Sequence, residues 1–72
     1  MTVDHTVQVR INGEHRRVAE GVSIAELVSE LGFDPARVAV ERNLEVVPRS
    51  TLSDVKVEDA DDFEIVRFVG GG

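Results

Sequence analysis

Only one stretch of this 72-residue chain carries a helical pattern, and it is short. Ser23-Ile24-Ala25-Glu26 has the form of a capping box: the serine hydroxyl accepts from the Glu26 amide while the glutamate reaches back to the serine amide. Behind it Ile24, Leu27, Val28 and Leu31 fall at i, i+3, i+4 and i+7, one apolar stripe. Gly32 stands where a left-handed terminator belongs. The spacing predicts a helix over 24–31, and its apolar face must pack on something. What surrounds it reads as strands and turns. One helix therefore covers one face of one sheet.

The strands follow from the same kind of counting. Val7, Val9 and Ile11 alternate with Gln8 and Arg10, the period of a half-buried strand. Asn12-Gly13 then suits a type I′ turn, whose two central residues both need positive φ. The return strand, near Glu14 to Val18, is polar and belongs at an edge. Asp34-Pro35 marks a turn, Val38-Ala39-Val40 opens a third strand, and Asn43 with Glu45 brackets another turn. Val46-Val47 makes a brief fourth strand ended by Pro48. Residues 49–57 read as a connection with a turn near Ser50, and Glu58-Asp59-Ala60-Asp61-Asp62 as a solvated polar loop. The last strand, 63–69, is the most hydrophobic. The first and last strands are the most apolar, so they are expected side by side in the middle, and the intervening elements supply the crossover that parallel neighbours require. The arrangement is an α+β β-grasp, ubiquitin-like, with a mixed four- to five-stranded sheet and one main helix on one face. Residues 1–69 form the domain, and 70–72 a flexible glycine tail.

Composition narrows the chemistry. A chain this short buries only roughly 60% of its unfolded surface, so one modest core is all it can build. The absence of cysteine excludes a disulfide framework, a thiolate metal site, an iron–sulfur cluster and a cysteine nucleophile. Fourteen acidic residues against eight basic ones give a formal charge of −6. Phosphate backbones repel such a surface, so no nucleic-acid partner is expected. The acidic excess serves solubility and can also steer the domain to a basic partner surface. No apolar run approaches the ~18 residues of a membrane span. The first residues lack a signal layout, which makes the expected location cytoplasmic, with no membrane partner.

Side chains of the usual catalytic kinds stand in bland settings. His5 and His15 have no ligand-spaced partners, so no metal site is expected. Asp59, Asp61 and Asp62 look like the start of a calcium loop but lack its remainder. Ser50 and Thr51 suit a turn better than a nucleophile. Gly70-Gly71-Gly72 has no lysine and no following helix, so it is not a phosphate-cradling loop. Two readings of "FVGGG" remain. It is a frayed end, or the carboxylate of Gly72 is itself the functional group and Gly70 and Gly71 let it be threaded into another protein's active site. Beside it, if Phe63 and Ile65 face the helix, then Glu64, Val66 and Phe68 point to the open face. Val66 and Phe68 would form an apolar docking spot next to the tail, unless they pack on a second side.

"VRINGEHRRV", "RVAVERNLEVVPRS" and "EIVRFVGGG" together resemble the bacterial sulfur-carrier family of thiamine biosynthesis (ThiS), over nearly the whole chain from about residue 7 to Gly72. Two departures are visible: Leu44 and the Ala60 of Asp59-Ala60 stand where family members commonly have glycine. The resemblance implies a protein cosubstrate, not an enzyme. A ubiquitin-activating-type adenylyltransferase, using ATP and magnesium, would convert the Gly72 carboxylate to an acyl adenylate. Sulfur from a donor enzyme (a cysteine desulfurase or equivalent) would displace AMP and leave a thiocarboxylate, whose sulfur goes to thiazole synthase. The carrier itself would bind no cofactor. Three alternatives share parts of the pattern: a molybdopterin-synthase small subunit, a ubiquitin-like protein modifier, and a plain binding module with an inert tail.

Overall fold

The turn at Asn12-Gly13 sets the register of the first two strands. In the computed structural model, which describes residues 5–68, Asn12 has φ 50° and Gly13 φ 85°, as a type I′ turn requires. It joins β1 (Thr6–Ile11) to β2 (Glu14–Ala19), with Ile11 opposite Glu14 and Val7 opposite Val18. Val9 and Ile11 are buried while Gln8 and Arg10 are exposed, so the alternation does place one face inward.

The helix α1 spans Ile24–Glu30, with Ser23 as its N-cap and Leu31 as its C-cap. Both halves of the capping box are made: Ser23 Oγ accepts from the Glu26 amide and Glu26 Oε1 accepts from the Ser23 amide, each at 3.0 Å. The next two orphan amides find carbonyls outside the helix. Ile24 N–H donates to Val55 O and Ala25 N–H to Leu52 O, so the 49–57 connection clamps the start of the helix. That connection opens with a 3-10 turn, Arg49–Thr51, and buries Leu52 and Val57. It is more than a surface link. At the other end Gly32 takes φ 91° and its amide donates to Ser29 O.

Asp34 caps a 3-10 turn, Pro35–Arg37, by accepting from the Ala36 amide. β3 then runs Val38–Arg42, β4 Glu45–Val47 and β5 Asp62–Arg67. Among the described residues the sheet has five strands in the order β2-β1-β5-β3-β4. β5 pairs parallel with β1 and antiparallel with β3. The first and last strands are thus adjacent, and β2 is an edge, as their polarity predicts. β5 stops at Arg67, short of the expected 69, and Val69 lies outside the described residues. Ile24, Leu27 and Val28 of the helix pack with Val9, Ile11, Val38, Val40, Phe63 and Ile65 of the sheet in one core. Among the described residues no helix is long and apolar enough to cross a membrane.

Candidate functional site

The site is built from the parity of β5. Phe63 and Ile65 are buried under the helix. Glu64, Val66 and Phe68 therefore turn to the opposite face, over which the described residues place no helix. Val66 is 57% exposed and Phe68 56%. Ala39 stands opposite Val66 and Glu41 opposite Glu64, while Val46 on β4 stands opposite Glu41. The open face thus ends, near the point where β5 leaves the sheet, in an apolar spot.

The exit of β5 is fixed on both sides. Phe68 N–H donates to Arg37 O at 2.9 Å. Toward β1, the Asn12 side chain does the work of a missing strand residue: Nδ2 donates to Ile65 O and Oδ1 accepts from Ile65 N, at 3.2 and 2.8 Å. The guanidinium carbon of Arg49 lies 5.4 Å from the centre of the Phe68 ring, within the range of a cation–π contact. Sequence reasoning missed Arg49, although it sits in the "VPRS" segment that helped to carry the resemblance. Nothing in that segment signals a contact with a ring so far along the chain. Gly70, Gly71 and Gly72, the predicted reactive tail, lie outside the described residues.

The acidic loop needs a correction. Asp61 is only 5% exposed, so the loop is not simply solvated. Its Oδ2 accepts from Arg42 Nε at 2.9 Å and from the Glu58 amide at 2.8 Å, and its Oδ1 from Asn43 Nδ2 at 3.1 Å. Arg42 also bridges to Glu58 at 2.8 Å, and the hydrogen bond to Asp61 holds the Arg42 guanidinium even more firmly protonated than usual. Asp59 accepts from the Gln8 amide, and Asp62 pairs with Arg10 at 3.6 Å. These carboxylates tie the loop to β1 and β3. Thr51 Oγ1 donates to Pro48 O, a turn role, as its setting suggests. His5 lies 3.9 Å from Glu20 at the surface. Among the described residues no group of three or more His, Cys, Asp or Glu side chains could hold a metal ion.

The fold and the matched sequence converge. The ThiS family model matches residues 9–72. This chain belongs to the ThiS family. Sulfur carrier protein ThiS of Bacillus subtilis is 38% identical over 50 residues, covering 69% of this chain and 76% of that one. A thiazole synthase of Paramagnetospirillum magneticum is 52% identical over 62 residues, which are 86% of this chain but 19% of that protein. A second thiazole synthase is matched over 20% of its length, so the chain spans about a fifth of these curated relatives. Among solved structures, the ThiS thiamine biosynthesis protein of Geobacter metallireducens superposes with a TM-score of 0.77 at 35% identity, covering 92% of this chain and 100% of that one. A computationally designed protein based on a human ubiquitin template gives 0.54 at 12% identity, over 96% and 98% of the two chains, and shows the ubiquitin-like fold alone. The two departures from the ThiS pattern now have a physical meaning. Leu44 and Ala60 both take φ 71°, the left-handed region that favours glycine.

Proposed function

We propose that this chain is the sulfur carrier of thiazole formation in thiamine biosynthesis, a protein cosubstrate whose reacting group is the Gly72 carboxylate. The observation that carries the reading is the ThiS family match, which runs through the glycine triplet to residue 72. A carboxylate resists nucleophiles because it is negatively charged and oxide is a poor leaving group. An ATP- and magnesium-dependent activating enzyme of the ubiquitin-activating type turns it into an acyl adenylate and releases pyrophosphate. A sulfide equivalent from a donor enzyme attacks the acyl carbon, AMP leaves, and a thiocarboxylate remains for thiazole synthase. Glycines at 70 and 71 suit a narrow channel because they have no Cβ. The thiazole synthases that contain a stretch like this chain within one much longer polypeptide support thiazole synthase as a partner. Val66 and Phe68 are the proposed docking residues.

The test is direct. Incubated with the activating enzyme, ATP, magnesium and a sulfur source, the chain gains the mass difference between sulfur and oxygen, and the change maps to Gly72. A chain lacking Gly72 keeps its melting temperature and is not thiolated. An unmodified carrier beside an enzyme active on another carrier refutes the reading, and lysine conjugates as the main product point to a protein modifier.

A further inference from the structure

The open face of the sheet is divided by charge. On the side of β1, Arg10 is paired with Asp62. At the centre Glu41 of β3 and Glu64 of β5 stand directly opposite one another, both exposed. Like charges so placed oppose the pairing of their own strands. Among the described residues neither glutamate has an ion pair. Toward the end of β5 the face turns apolar at the exposed Val66 and Phe68, and on β4 Val46, 71% exposed, stands on the far side of Glu41. Glu41, Glu64 and Asp62, with Arg10 on the β1 side, line a shallow depression of about 280 Å³ that is also bounded by the exposed Leu44. It has room for the end of one long side chain.

We propose that thiazole synthase docks on this face and places a basic side chain, an arginine by preference, between Glu41 and Glu64, while apolar groups around it cover Val46, Val66 and Phe68. The inference rests on the docking reading above and adds the chemistry of the partner. Directly opposed Cβ atoms in an antiparallel pair are about 5 Å apart, so one planar guanidinium, with its fork of donors, can serve both carboxylates. The net charge of −6 favours approach of the same kind of surface. Free and bound states then make opposite demands. In the free carrier the two carboxylates repel each other; in the complex they share one cation.

The experiment uses the double variant Glu41→Gln/Glu64→Gln and, as a control, Val66→Ser, each titrated against the cognate thiazole synthase at low and high salt. The double variant keeps or raises the melting temperature of the free carrier. It binds about fivefold or more weakly at low salt, where a charge pair in an interface is felt most, and its affinity depends less on salt than that of the native chain. Affinity within about twofold of native, the scale of a solvated surface pair, overturns the inference if Val66→Ser still weakens binding, and leaves the docking reading in place. If neither change matters, or the native carrier does not bind, the docking reading falls and the inference with it. A native carrier that dimerises, and a glutamine variant that does not, make the face a self-association surface and overturn the proposal.

Discussion

Replacing Asp61 by asparagine keeps the shape of the side chain and removes its charge, which isolates what that carboxylate does. The variant oxygen can take the place of Oδ2 and keep the bonds from Arg42 and the Glu58 amide. Its amide nitrogen then faces Asn43 Nδ2, donor against donor, where Oδ1 accepted at 3.1 Å. Asn43 cannot simply flip, because its own oxygen accepts from the Asp62 amide at 3.0 Å. One buried donor is left unmet, at about 1–2 kcal/mol, and a charge-assisted bond to Arg42 becomes an ordinary one, at about 1 kcal/mol more. The side chain of Arg42 is 23% exposed, so solvent screens the second loss and keeps it at the low end. The sum is about 2–3 kcal/mol, which in a domain of this size lowers the melting temperature by roughly 10–20 °C. Circular dichroism during heating, with urea unfolding at neutral pH, measures both figures. A shift of about 2 °C or less refutes the reasoning, because it is what a solvated acidic loop would give.

The turn substitutions work the other way: Leu44→Gly and Ala60→Gly each remove a left-handed penalty and add glycine's entropy loss, for a net gain of about 0.5–1 kcal/mol in urea unfolding. A lower midpoint for either would contradict that balance. Ile65→Ala opens a cavity under the helix and costs about 2–5 kcal/mol, whereas Phe68→Ala costs about 1 kcal/mol or less, mostly its contact with Arg49. Equal losses in paired melting curves would put Phe68 in the core. At the helix start, hydrogen bonds from the backbone amide and then the side chain of Ser23 hold the Glu26 carboxyl below its ordinary 4.5. Its contribution is therefore present above that value and fades as pH falls through the lowered one. Glu26→Gln makes the acid limb of the urea midpoint shallower, and an unchanged limb would show that the cap does not titrate.

What could be read from the chain beforehand depends on how far apart the partners lie along it. The capping box closes within four residues and the Asn12-Gly13 turn within two, so the residue types alone disclose them. The parity of β5 is equally local: once Phe63 is inward, Val66 and Phe68 are outward. The burial of Asp61 is not legible in the sequence because its partners Arg42 and Asn43 lie 19 and 18 positions away, and a run of acidic residues looks solvated unless its cations are in view. The Asn12 side chain is a sharper case. It is plainly a turn residue in the sequence, yet its amide also clasps Ile65 across 53 positions. Arg49 beside Phe68 is hidden for the same reason. For the tail, the chemistry is suggested by glycine composition and family resemblance, since no geometry of residues 70–72 is described.

On the proposed function, the position of β5 explains why a docking face and a reacting end belong on the same partner. The last strand lies in the middle of the sheet, held by β3 on one side and by the Asn12 clasp on the other. Phe68 is still tied through its amide to Arg37, so the start of the tail cannot drift relative to Val66. Four peptide units separate Phe68 from Gly72, a span of at most about 14 Å even when fully extended. On the proposed reading, an enzyme that grips the open face must therefore keep its nucleotide or its thiazole precursor within that radius of the apolar spot. An edge strand would frustrate this, because it could fray from its single neighbour and let the tail wander. On the proposed function, a central strand lets the rigid part of the fold set the distance and leaves only the final reach to the residues beyond Phe68.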